Sequence, residues 1–187
     1  MVDELLFHLT PPPKDPNSDQ PQLQLYGIFN AEKYKNLWVK LESEWKFQHA
    51  SLFEDEDLAV SMNSVAPYLV YMPIHHPRIM TLLKHYGHGG TLFFWSSDSF
   101  EKVLRRMRDL FEIRSENGDQ GYLSFYRTEL WNKLAQSDSP IRYRFFEQTP
   151  YYFCEDELDQ KKSYQYRIHN HQTIRKTIIL KGIKDEA

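Results

Sequence analysis

The side chains most obviously suited to chemistry are histidines, which fall in three close groups: His75 with His76, His85 with His88, and His169 with His171. Imidazoles at such spacings are a ligand type for zinc, which takes about four ligands in a tetrahedral array. No cysteine pair and no acidic residue at a supporting spacing accompanies any group, so surface or half-buried imidazoles are the preferred reading. The letters His169-Asn170-His171 spell the name of a nuclease motif only by coincidence, because that name refers to residues dispersed over a hairpin and helix around a metal. A metal-dependent hydrolase using His169 and His171 stands as the alternative.

Nucleophile signals are thin. There is no Gly-x-Ser-x-Gly elbow, and the single cysteine, Cys154, sits in Phe-Cys-Glu-Asp, where neighbouring carboxylates disfavour a thiolate. Gly87 to Gly90 lacks the Lys-Ser/Thr of a phosphate-cradling loop and reads as a turn. The expectation is therefore a chain with no catalytic residue, no cofactor and no metal. A second kind of chemistry is recognition: Arg105, Arg106 and Arg108 lie close together, either as the solvated face of an amphipathic helix or as a contact surface for an acidic partner segment.

Composition bounds the rest. The 187 residues, 41% of them hydrophobic, suffice for one domain with a real core, and the formal net charge of -3 gives no electrostatic reason to expect nucleic acid. One cysteine cannot make an internal disulfide, which fits a reducing compartment. No apolar run reaches the roughly 18 residues of a membrane span. Asp3 and Glu4 stand where a signal peptide would carry positive charge, so the expected location is the cytoplasm. Aromatic side chains, 15% of the chain, fill a core and are also favoured at surfaces that bury against a partner.

The elements that must position these residues follow from periodicity. Leu5 to Leu9 is a strand-sized apolar run, and Pro11-Pro12-Pro13 with the polar stretch to Gln22 reads as an extended arm. Leu25 to Phe29 is strand-like, and Tyr34, Leu37, Trp38, Leu41 and Trp45 then share one helical face. The acidic run Glu54 to Asp57 caps a short helical turn. Tyr68 to Met72 is a strand after Pro67, and His76-Pro77 opens a helix carrying Ile79, Leu82, Leu83 and Tyr86, ended by Gly87, Gly89 and Gly90. Thr91 to Trp95 is a third strand. Asp98 and Glu101 make a capping box for a helix whose apolar stripe runs from Phe100 to Phe111.

Asn117-Gly118 is a type I′ hairpin signal between Phe111 to Arg114 and Tyr122 to Tyr126. A helix follows over Thr128 to Ala135. Ile141 to Phe146, Tyr151 to Cys154 and Tyr164 to Ile168 read as strands, with a charged loop from Glu155 to Lys162. Thr173 to Ile183 is ambiguous between a basic strand and a short helix. The fold class is α/β or α+β: a compact mixed sheet flanked by amphipathic helices. Its parts are an arm at 1–23, a core at 24–137 and a C-terminal extension at 138–187.

The ordered pieces Leu25 to Asn30, Leu52-Phe53, Leu58-Ala59, Val65 to Val70, Gly89 to Ser97, Phe100 to Ile113 and Phe125-Tyr126 resemble a family. It is the adaptor or chaperone family of bacterial type VI secretion systems, long catalogued as a domain of unknown function. The resemblance covers about Leu25 to Leu134. It departs from the family at Arg127-Thr128, where Asp-Pro is expected, and in the shortened C-terminal lobe. It implies a non-enzymatic protein that binds a cognate toxic effector and promotes its loading onto the VgrG spike protein, with no nucleic-acid or membrane partner. The surface so implied includes Arg105, Arg106 and Arg108, the turn at Tyr126 and Arg127, and Tyr143, Phe145 and Tyr151 between Ile141 and Phe153. The arm, docking by strand addition, is a further candidate. A toxin-neutralising immunity protein is the other binding-module alternative.

Overall fold

Among the described residues seven strands form one antiparallel sheet, built around residues that alternate between its two faces. The computed structural model describes residues 2–11, 21–84, 91–114, 117–138, 140–146, 149, 151–156, 159, 161–169 and 172–180. The strands are β1 (Gln24–Asn30), β2 (His49–Ser51), β3 (Pro67–Tyr71), β4 (Thr91–Ser96), β7 (Tyr151–Glu155), β8 (Lys162–His169) and β9 (Gln172–Ile179). Their order across the sheet is β2-β3-β1-β4-β7-β8-β9. A separate hairpin joins β5 (Glu112–Arg114) to β6 (Gln120–Tyr122). The fold is thus mixed α/β, as composition and periodicity indicate.

Much of the aromatic content has one explanation. The register places Tyr71 opposite Tyr26, Tyr26 opposite Phe94, Phe94 opposite Tyr152 and Tyr152 opposite Tyr166, so a single row of rings crosses the sheet from β3 to β8. Neighbouring centroids from Tyr71 to Tyr152 lie 5.5 to 5.6 Å apart, the distance at which cross-strand aromatic pairs stabilise a sheet. Trp131 covers the row from above at 4.4 Å from Tyr152. On the opposite face Trp95 Nε1 donates to Leu9 O at 2.9 Å and the Tyr34 hydroxyl pairs with Thr91 Oγ1. Helical segments therefore cover both faces.

Those segments are α1 (Val2–Leu9), α2 (Leu37–Val39), α3 (Glu56–Ser61), α4 (Ile79–Leu83), α5 (Phe100–Phe111), α6 (Thr128–Gln136) and α7 (Pro140–Phe146). A 3-10 turn, Ala31–Lys33, precedes α2, which continues as a π turn, Lys40–Trp45. Leu37, Leu41 and Trp45 are buried along it, whereas Trp38 is half-exposed. Lys46, at φ 55°, ends it in the left-handed region. Asp55 caps α3 by accepting from Leu58 N at 2.7 Å.

Several segments differ from their sequence expectation. Leu5–Leu9 belongs to helix α1, because Leu5 and Leu9, four apart on one face, are both buried and Asp3 and Glu4 suit its N-terminus. Ile141 to Phe146 is helix α7, with Pro140 at its first position and burial at Arg142 and Phe145, three apart rather than two. The ambiguous C-terminal segment is strand β9 as far as Ile179, paired along its length with β8, and residues 181–183 lie outside the described residues. Asp98 does not cap α5; Ser99 occupies that place without a side-chain bond, and Asp98 turns to Arg106. The hairpin connection spans residues 115–119, since Arg114 pairs with Gln120, and of Asn117 and Gly118 only the glycine takes positive φ. A type I′ turn needs both. Tyr86, Gly87, Gly89 and Gly90, and most of the proline arm, lie outside the described residues.

Candidate partner-binding surface

Arginines on α5 separate into three roles. Arg106 points inward: Nη1 donates to Asp98 Oδ2 at 2.8 Å and Nη2 to Thr149 Oγ1 at 2.8 Å, and only 14% of its side chain is exposed. Arg108 reaches across to the β2 region, where Nη2 donates to Ser51 O at 3.0 Å and Phe53 O at 3.3 Å. Both hold the helix to the sheet. Arg105 alone of the three lies exposed, in an open groove also lined by Asp98, Lys102 and Asp109.

The remaining expected contact residues are dispersed as well. Phe145 is fully buried against Phe125 and Trp131, and Tyr126 is 6% exposed, so neither presents a surface to a partner in this conformation. Their ring packing against Trp131 and Phe111 is the reason. Arg127 is exposed and donates to Glu32 Oε2 at 3.3 Å, which, after the hydrogen bond from Asn30, holds the Glu32 carboxyl below its ordinary range. Tyr151 is half-buried beside Trp95 in a cavity of about 240 Å³ that His8, Thr10 and Gln165 also line. Tyr143 is 42% exposed.

Beside Cys154 one buried amide oxygen serves two donors. The Cys154 thiol donates to Asn132 Oδ1 at 3.4 Å, and the same oxygen accepts from the Tyr166 hydroxyl at 2.6 Å. Burial, then the charges of Glu155 and Asp156, raise the thiol well above its ordinary range. Cys154 is thus poorly placed to act as a nucleophile.

Among the described residues no group of three or more His, Cys, Asp and Glu side chains comes together to hold a metal. His85, His88, His171 and the His169 side chain lie outside what is described. His76 stacks on Phe47 at 4.0 Å.

A family model described as a domain of unknown function, DUF4123, matches residues 25–144. The chain belongs to this family. Comparisons with curated proteins and with solved structures gave no match. The DUF4123 match begins at β1 and ends within α7, so β7, β8 and β9 lie beyond it while continuing the same sheet through the pairing of β7 with β4. No helix among the described residues is long and apolar enough to cross a membrane.

Two surface features escape the sequence reading. Val60, Met62 and Val65, around the C-terminal end of α3, are exposed, as are Ile113 and Tyr122 on the hairpin; no periodicity marks them, because they lie in a short helix, a loop and three-residue strands. The second is a polar cleft where α6 and α7 meet β9, lined by Gln136, Asp138, Arg142, Tyr143, Thr173 and Arg175 among others. Its one available signal was Arg142, a charge three residues before the core residue Phe145.

Proposed function

We propose that this DUF4123 protein is an effector adaptor of a bacterial type VI secretion system. It binds a cognate toxic effector and promotes its loading onto the VgrG spike protein, acting by complementarity alone, with no reaction catalysed. Membership of the family over residues 25–144 is the observation that carries this reading. The exposed apolar side chains of the α3 region and the hairpin support it, being surface of the kind that partners bury. Arg105, Arg127, Tyr143 and Tyr151 are the expected contacts that retain accessible surface, and the adaptor works in the cytoplasm before the system fires.

The test is co-purification of the folded chain with effectors and spike proteins encoded beside it. Recovery of a stable complex with an effector is the expected result, and recovery of neither partner sinks the proposal. An intoxication assay separates export from immunity: an adaptor leaves the toxin active in a cell that holds no other protection.

A further inference from the structure

The cleft between α6, α7 and β9 holds a cation that the fold leaves incompletely matched. Arg142 is 7% exposed and lies over the Tyr143 ring at 4.7 Å, yet among the described residues its Nη2 donates only to the Tyr143 hydroxyl at 2.8 Å, its Nη1 stands 4.0 Å from the fully exposed Asp138 carboxylate, and its Nε has no hydrogen-bond partner. Across the cleft the Thr173 hydroxyl is also buried without a partner among the described residues. Arg175, exposed and stacked over the Tyr164 ring at 4.8 Å, adds a second guanidinium. The open volume is about 590 Å³.

Buried polar groups in folded proteins are nearly always hydrogen-bonded, and a buried guanidinium without a close counter-charge is costly. Here two unmatched donors line one cleft beside a second positive charge. Both atoms are closed to solvent in the free protein, so the side chains must turn towards the cleft to meet a ligand; a carboxylate then answers all three, its planar oxygens accepting from a guanidinium edge and from a hydroxyl together. We infer that the cleft between α6, α7 and β9 binds the carboxylate of an aspartate or glutamate side chain on a partner polypeptide. The source is placed on a polypeptide because Gln172, Thr173 and Arg175 of the cleft belong to β9, the outermost strand, which among the described residues pairs only with β8. An extended segment laid along β9 delivers alternate side chains to one face. This choice of source rests on the adaptor reading; the anion chemistry does not.

The experiment titrates the full chain with three probes: a short blocked peptide with a central Glu, the same peptide with Gln, and inorganic phosphate. The Glu peptide is expected to bind, and the Gln peptide to bind about tenfold more weakly or worse, the loss expected for a charge-assisted bond. Thr173→Val is the informative variant, because its hydroxyl has no partner to lose in the free protein, and it weakens the Glu peptide while leaving the melting temperature unchanged. Arg175→Gln weakens the Glu peptide likewise, and Arg142→Met abolishes binding if it folds. Equal affinity for the Glu and Gln peptides, no binding of the Glu peptide, or unchanged binding by Thr173→Val and Arg175→Gln overturns the inference. Phosphate competing as well as the Glu peptide overturns the polypeptide source. Effector co-purification is scored separately, so the adaptor reading and the cleft can fail independently.

Discussion

Arg106 Nη1 and Asp98 Oδ2 lie 2.8 Å apart, and this contact ties the middle of α5 to the turn that follows β4. Asp98 is itself tied to the sheet, since the Tyr26 hydroxyl donates to its carbonyl at 2.8 Å. Removing Arg106 leaves a partly buried carboxylate without its cation. Arg106→Ala is expected to lower unfolding free energy by about 2–3 kcal/mol, below the full cost of breaking a buried pair because Asp98 keeps some solvent. Arg105→Ala, on the exposed side of the same helix, should change stability by no more than about 0.5 kcal/mol. Urea melts of the two variants check the contrast, and equal effects would refute the division of roles on α5.

Gly27 sits under a ring. A Cβ added there would come within 2.6 Å of Phe29 Cε2 and 2.9 Å of Met72 Sδ. Phe29 is locked in the core by Tyr34 and Phe93. Gly27→Ala is expected to destabilise the protein by about 1–3 kcal/mol through overpacking, despite the better strand propensity of alanine. Thermal melting decides it.

Asn132 is the shared acceptor for Tyr166 and Cys154. Asn132→Leu strands the Tyr166 hydroxyl in the core and should cost about 2 kcal/mol, whereas adding Tyr166→Phe to it should restore part of the loss. A double-mutant cycle with no coupling would show that the oxygen is not shared.

The Cys154 thiol, buried and raised in pKa, should resist alkylating reagents in the native protein at neutral pH. Labelling is expected to follow global unfolding, so its rate should rise with denaturant in step with the loss of tertiary signal. Rapid labelling without denaturant would place the thiol on the surface.

Buried tyrosines set an alkaline limit. Burial pushes Tyr26 from its ordinary value of 10.0 up to about 12, and raises Tyr34, Tyr152 and Tyr166 further. Because the folded values are raised, the unfolded chain loses these protons first. Their contribution is fully present below about pH 10 and falls as pH rises through the folded values. Stability should therefore decline steeply above pH 10, with tyrosinate absorbance appearing together with unfolding. Ionisation of these tyrosines well before unfolding would contradict the packing.

The legible part of the sequence was the part governed by local pattern. Leu25 to Phe29, Tyr68 to Met72, Thr91 to Trp95 and the stripe from Phe100 to Phe111 all carry runs long enough to show their period, and each forms the expected element. Leu5–Leu9 and Ile141 to Phe146 were too short to distinguish a period of two from one of 3.6. Asp98 and Glu101 had the spacing of a cap, but Arg106, eight residues from Asp98, competes for that carboxylate. The arginine cluster showed which residues lie near one helix and not where each guanidinium ends, because Ser51 and Thr149 approach α5 from distant parts of the chain. The Arg142 cleft depends on α7 meeting β9, which no local pattern encodes.

The strand order also constrains how the chain can emerge from the ribosome. β1 is made early yet lies between β3 and β4, and the outer side of β4 pairs with β7, residues 151–155. Until that late segment is synthesised, a nascent chain carries only Tyr71, Tyr26 and Phe94 of the row, on a sheet with a bare edge at β4, a template for pairing with other chains. Protection of the half-made sheet during translation falls to whatever the cell supplies, and the last strands act as the seal.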